Sequence, residues 1–209
     1  MHILLIHEIF VTPDEGGGTR HYELAKYLIQ MGHKVTVIAS DVDYLSGQKR
    51  LKRRENRDGI DIVYSWTLPS VHKSFVHRAL AFISFSISSF FDALSIRDVD
   101  LVWGTSPPLF QALTAMIVAF FKRKPFIFEV RDLWLDFAKE LKVVNNRLVL
   151  SFLKKLETIL YKRATKIIVN SPGFIPFIEK TVNKDKIILI PNGVITKEFE
   201  VEKERRESF

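Results

Sequence analysis

Short, near-continuous apolar runs alternate along this chain with longer stretches in which apolar residues recur every three or four positions. The runs are His2–His7, Lys34–Ala39, Ile60–Tyr64, Asp100–Trp103, Pro125–Val130, Lys166–Asn170 and Lys186–Ile190. Most are rich in Val, Ile, Leu and Phe with little polar alternation, the pattern of strands covered on both faces. The longer stretches predict helices. One covers about Gly18–Met31, with Tyr22, Ala25, Leu28 and Ile29 at helical spacing and Gly32 as its stop. Others cover Leu109–Phe121 and Asn146–Arg163, the latter with Leu148, Phe152, Leu156, Ile159 and Leu160 on one side. Alternating strands and helices predict an α/β fold: a doubly wound, mostly parallel sheet of about seven strands, binding ligands outside the strands' carboxyl ends. Lys49–Arg57, KRLKRRENR, reads as a basic loop before the third strand.

Pro69–Ile96 is the one apolar stretch with two readings. Leu80, Ile83, Ile87, Phe90 and Leu94 repeat at helical spacing, and Phe82, Phe85 and Phe91 broaden the apolar side. His72, Lys73, His77 and Arg78 form a basic lead-in. An aromatic helix beside cations fits an interfacial helix on anionic lipid, with Phe82, Phe85, Phe90, Phe91, Lys73 and Arg78 at the membrane. A core helix covering the sheet fits the same pattern. The uncharged apolar runs Ala79–Phe91 and Leu109–Phe121 fall short of the roughly 18 residues needed to span a bilayer.

The 209 residues carry a formal charge of +7 and no cysteine, so disulfides and thiolate metal sites are excluded. The positive balance favours anionic partners. Yet no helix-turn-helix, RNA-binding or zinc-finger pattern accompanies it, and nucleic acid is not an expected partner. No signal peptide is evident in Met1–Val11, which contains Glu8 and lacks a basic start.

Candidate chemistry gathers at the expected strand ends. Gly16, Gly17 and Gly18 precede the first helix, where bare backbone N–H groups and the helix dipole suit an anion such as phosphate. A dinucleotide fingerprint is not met: the third glycine position is His21, the glycines lie far from the strand, and no Walker lysine follows. Glu129–Trp134, EVRDLW, closes the fifth strand. Arg131 offers a fork for phosphate or carboxylate, Asp132 a carboxylate to orient or deprotonate a hydroxyl, and Trp134 an apolar platform. Glu129 has two readings, ligand contact or an internal pair with Arg131. Thr105–Pro108 (TSPP) and Asn170–Gly173 (NSPG) bring Ser106 and Ser171 to the same edge.

The ordered set GGGTR, ELAKYL, GHKVTV, TSPPLF, EVRDLW, KLETILYKRATKIIVNSPG and IPNGV resembles the N-terminal half of a family 4 glycosyltransferase of GT-B architecture. The resemblance is strongest to a branch of fucosamine-transferase-like enzymes of surface polysaccharide synthesis. It implies a Rossmann-like acceptor-side domain over residues 1–195. Residues 196–209 are then a charged tail or the start of an interdomain linker. It implies a separate C-terminal domain holding a nucleotide-sugar, with an E-x7-E motif for which no segment in the right place is found here. A polyprenyl-diphosphate-linked acceptor, retention of configuration and independence from metal and cofactor are implied by family alone. So is a cytoplasmic place, peripheral on the inner face of the plasma membrane. Gly16–Gly18 and Arg20 would approach the donor phosphates or the acceptor, and Arg131 with Asp132 would flank the reacting sugar. Three departures stand out: Arg131 where many relatives have histidine, Leu135 where the branch has proline, and Ile195 where aspartate is usual. The expected function is the acceptor-binding half of a glycosyltransferase, inactive alone. The alternative is a non-catalytic membrane-docking or recruiting subunit of a split enzyme.

Overall fold

The computed structural model describes residues 1–43, 45–69, 75–133, 135 and 146–193. Lys73, Trp134 and Ile195, singled out above, lie outside these residues, as does the tail.

Among the described residues eight strands form one sheet: β1 (His2–Ile6), β2 (Lys34–Ser40), β3 (Arg54–Arg57), β4 (Ile60–Ser65), β5 (Leu101–Ser106), β6 (Phe126–Val130), β7 (Lys166–Val169) and β8 (Ile187–Leu189). Their order is β3-β4-β2-β1-β5-β6-β7-β8. Every pairing is parallel except β3 with β4. The chain winds outward from β1 to β2 and β4, then restarts on the other side at β5. The β1/β5 boundary is therefore the topological switch point, where open α/β sheets leave a crevice beyond the carboxyl ends.

The helices are α1 (Arg20–Gln30), α2 (Phe75–Ser95), α3 (Leu109–Lys122), α4 (Arg147–Arg163) and the short α5 (Ile175–Ile178). Strand side chains alternate between two cores, as the pleat requires. Leu4 and Ile6 of β1 join Phe85 of α2, Ala112 and Ala115 of α3 and Leu156 and Leu160 of α4. Ile3 and Leu5 join Tyr22 and Ala25 of α1 on the opposite face. Helix α3 packs tightly on the sheet at Gly104, where a Cβ would lie 2.5 Å from that of Ala115.

Two expectations change. The segment read as a basic loop contains β3, whose Arg54–Arg57 pairs antiparallel with Ile60–Val63. Four polar residues carry no apolar signal, but charged side chains suit an edge strand because they oppose pairing with another chain. The first helix begins at Arg20, not Gly18, so all three glycines stay in the loop, with Gly17 at φ 138°.

The second helix resolves its two readings residue by residue. Phe85, assigned to the membrane from the sequence, is fully buried against the sheet. The physical reason is its phase on the helix: it points toward Ile38 and Val63, and burying such a ring contributes roughly 2–3 kcal/mol. Phe82 and Phe90 are half-buried, while Arg78 and Phe91 are exposed. The solvent-facing apolar stripe is Leu80, Ile83, Ile87 and Phe91, extended by the exposed Phe120 and Phe121 of α3. Phe90 links the two helices, its ring 5.3 Å from Phe91 and 5.9 Å from Phe121. Among the described residues no helix is long and apolar enough to cross a membrane.

Candidate functional site at the carboxyl edge of the sheet

At the switch point β1 runs into His7 and Glu8, β5 into Ser106 and Pro107, and β6 into Arg131. The centre is an ion-pair network on Glu129, whose carboxylate is fully buried. Arg20 Nε donates to Glu129 Oε1 at 2.8 Å, and His21 Nε2 meets Oε2 at 2.7 Å. The rest of the Arg20 guanidinium donates to the carbonyls of Ile190 (2.7 Å) and Pro191 (2.9 Å) and to Asn192 Oδ1 (3.2 Å). Arg131 donates from Nε to the Ser106 carbonyl and from Nη2 to that of Pro107, at 3.3 and 3.2 Å.

Beside this network stands a small aromatic cage. The rings of His7 and His21 are 4.2 Å apart, and Trp103 lies 5.3 Å from His21. Both ring nitrogens of His7, Nδ1 of His21, Nε1 of Trp103 and Oε2 of Glu8 are buried without a hydrogen-bond partner. Burial holds His7 well below the ordinary histidine range, aided by His21 and Arg131. Burial likewise lowers His21, against the attraction of Glu129. A neutral His21 donating to an ionised Glu129 satisfies both groups. Burial opposes the Glu129 charge, but His21 and Arg20 together outweigh it and hold the carboxyl low. Burial alone pushes Glu8 up to about 8, so this acid is protonated at neutral pH. Its backbone N–H donates to Gln111 Oε1 at 2.6 Å, and Gln111 Nε2 donates to the Pro107 carbonyl at 3.0 Å, joining β1 to the turn after β5.

The residues predicted from sequence divide by role. Arg131 and the half-buried Asp132 stand at the edge as expected. Gly16, Gly17 and Gly18 are exposed at the same edge, and among the described residues their amides form no hydrogen bond. Glu129 and Arg20 belong to the internal network instead of reaching outward; a fully buried carboxylate needs cationic partners. Ser106 is 4% exposed and its hydroxyl faces the Glu129 carbonyl, so it points inward. Ser171 is turned to a local task, accepting from Gly173 N–H at 3.3 Å to cap the turn Pro172–Phe174. His7, Glu8 and His21 were missed. The signal was present: His-Glu at the end of an apolar strand is as anomalous as the Glu-Arg-Asp of β6.

The basic segment is largely neutralised. Arg50 pairs with Glu15 and Asp43, Arg53 with Asp92, Arg57 with Asp14, and Lys49 with Asp41. These bridges bind the loop before the glycines to β3 and its approach, and they leave little free charge for a nucleic-acid strand. Among the described residues, no three His, Asp or Glu side chains cluster closely enough to hold a metal ion.

Comparison with known families matches residues 15–198 to Glycosyltransferase Family 4. Comparison with curated protein sequences finds no match. Among solved structures, sucrose-phosphate synthase from Thermosynechococcus elongatus superposes with TM-score 0.66 at 16% identity, over 99% of this chain and 52% of that one. HepE from Anabaena, in complex with UDP-glucose, gives 0.62 at 14% identity, over 100% and 48%. The catalytic domain of starch synthase IV from Arabidopsis thaliana, bound to ADP and acarbose, gives 0.60 at 13% identity, over 95% and 52%. The chain thus spans about half the length of these structures, and its sheet matches the Rossmann-like half of a GT-B fold.

Proposed function

The chain belongs to glycosyltransferase family 4, and from that premise we propose that it is the acceptor-side half of a glycosyltransferase that works with a nucleotide-sugar donor. The observation that carries the reading is the switch-point edge, where Arg131, Asp132 and the exposed, unbonded glycine amides all lie at the carboxyl ends of the strands, above the buried Glu8. Coverage of only about half of the sucrose-phosphate synthase, HepE and starch synthase IV structures supports a second, donor-binding lobe that closes over this edge. The nucleotides bound to HepE and to starch synthase IV support a nucleotide-sugar donor.

In this reading the donor and acceptor meet above β1, β5 and β6. Arg131 is anchored on two carbonyls and presents its remaining N–H groups to the diphosphate leaving group, stabilising charge that grows as the sugar departs. Asp132 orients the acceptor hydroxyl. His7, His21 and Trp103 form a dry floor that strengthens these interactions by excluding water. The transfer retains anomeric configuration and uses no metal ion or cofactor. The reading places the protein in the fucosamine-transferase-like branch and in polysaccharide synthesis.

The exposed stripe Leu80, Ile83, Ile87, Phe91, Phe120 and Phe121 supports a lipid-linked acceptor, a polyprenyl diphosphate, met at an anionic membrane surface. That places the protein in the cytoplasm, peripheral on the inner face of the plasma membrane. The same stripe favours a second reading, a docking subunit that recruits a catalytic partner without contributing to the chemistry. Joining this chain to a donor-binding lobe and assaying sugar transfer separates the two. An acceptor-side half loses transfer in Arg131→Ala, whereas a docking subunit keeps it.

A further inference from the structure

At the same carboxyl edge, beyond β2 and β4, a groove of about 410 Å³ is lined by Asp41, Leu51, Arg53, Trp66, Phe91 and Asp92, among others. It lies apart from the switch point. From β6 to β4 the sheet order counts four strand positions, so at about 4.8 Å each the groove is roughly 19 Å from the Arg131 strand.

The groove combines a half-exposed ring with fixed polar groups. Trp66 is 52% exposed, with Lys49 Nζ over its ring at 5.5 Å from the centroid, and Leu51 and Phe91 are exposed beside it. The Trp66 carbonyl accepts from Ser88 Oγ at 2.6 Å, which anchors this residue to α2. Asp92 is held on both oxygens, by Arg53 Nη2 at 2.7 Å and by Ser65 Oγ at 2.7 Å. Asp41 accepts the Thr67 N–H at 2.8 Å and faces Lys49 at 3.5 Å. Each carboxylate still has unused lone pairs, and Lys52 stands on the rim.

An exposed indole beside immobilised carboxylates and a guanidinium matches one chemical class closely. A pyranose ring lays its C–H face on an aromatic plane and directs its hydroxyls to acceptors and donors around the rim. The two carboxylates interleave with the cations Arg50, Lys52 and Arg53, a mixed set of acceptors and donors that suits hydroxyl groups, and this dense polar network disfavours an acyl chain. We infer that this groove is a distal subsite for an oligosaccharide acceptor, holding a sugar ring several units away from the one that reacts near Arg131. The inference rests on the glycosyltransferase reading and adds that the acceptor is a chain of sugars long enough to cross from β6 to β4.

The test is saturation-transfer NMR on the chain with chitooligosaccharides, maltooligosaccharides and mannooligosaccharides of increasing length. At least one series should bind saturably, with affinity rising with length. Trp66→Ala should weaken that binding about tenfold or more and Asp92→Asn measurably, while Tyr27→Ala on exposed α1 leaves it unchanged. No saturable binding in any series, or binding that survives Trp66→Ala, overturns the subsite. Circular dichroism on the Trp66 and Asp92 variants guards against misfolding, and Leu51→Ala, at a fully exposed position, provides a second probe of the groove wall. Transfer by the assembled enzyme is read separately. Arg131-dependent transfer without Trp66-dependent saccharide binding removes only the subsite, whereas Trp66-dependent binding without any transfer leaves a saccharide groove but overturns both the glycosyltransferase reading and the groove's role as an acceptor subsite.

Discussion

Arg20 and Glu129, 109 residues apart in sequence, meet at 2.8 Å at the carboxyl edge of the sheet. One stands at the first turn of the helix after the glycine loop, the other near the end of β6. The same guanidinium holds the carbonyls of Ile190 and Pro191, where the chain leaves β8. The glycine loop, the switch point and the chain exit are thereby fixed to one another through a single buried carboxylate.

Removing one partner of this network should cost far more than a surface ion pair. Arg20→Ala leaves the buried Glu129 carboxylate with His21 as its one hydrogen-bond partner among the described residues and only the more distant charge of Arg131, a situation worth roughly 3–5 kcal/mol of destabilisation. Urea denaturation should show this loss. Hydrogen exchange should show faster opening at Ile190, whose N–H is bonded to the Val169 carbonyl at 2.9 Å. Exchange at Ile190 as slow as in the wild type would contradict the clamp.

Glu8 predicts an unusual pH dependence. Its carboxyl rises from 4.5 to about 8 on folding, so the folded chain keeps a proton that the unfolded chain releases. For this group, stability is complete below about pH 4.5 and falls as the pH rises to about 8. Glu8→Gln should match the wild type near pH 4.5 and exceed it above pH 8, by at most on the order of 5 kcal/mol. His7 and His21 have the opposite effect: both are held low by burial, so stability drops as pH falls below the ordinary histidine range. Thermal melts of Glu8→Gln and His7→Gln across this range separate the two limbs.

Arg131 and Asp132 should be separable by kinetics in the assembled enzyme. Arg131→Ala, losing a charge-assisted contact to the leaving group, is expected to lower kcat by roughly 100-fold or more. Arg131→Lys should recover little, because a point charge lacks the fork. Asp132→Asn should lower kcat by about 100-fold with little change in donor KM. Full activity in both variants would remove these residues from the site.

The two sides of α2 make opposite predictions. Phe91→Glu should reduce sedimentation with anionic liposomes at low salt while leaving the fold intact, since the ring is 65% exposed. Phe85→Ala should lower stability by roughly 3–5 kcal/mol, because it empties a fully enclosed site. Liposome binding unchanged by Phe91→Glu would leave the lipid reading without support.

Family membership and the parallel sheet were legible because continuous apolar strands, helical repeats and turn residues are local signals. β3 was illegible for the opposite reason: Arg54–Arg57 pairs only on one side, and an edge needs no apolar pattern. The site was half legible. Arg131 and Asp132 were marked by their position after β6, whereas His7 and Glu8, equally placed after β1, were passed over.

Chain order alone determined the parallel strands and the main helices, and that the carboxyl ends of those strands share one edge, since hydrophobic period and strand–helix alternation leave few windings. It also marked Glu129 as a charge in an apolar run, without saying which way that charge would turn. Only the tertiary structure decided that Glu129 and Arg20 spend themselves on each other, that Phe85 faces inward while Phe91 faces outward, and that the Lys49–Arg57 charges are mostly matched by acids. Those outcomes depend on contacts between residues far apart in the chain, where burial and the pairing of charges outweigh anything a local pattern can express.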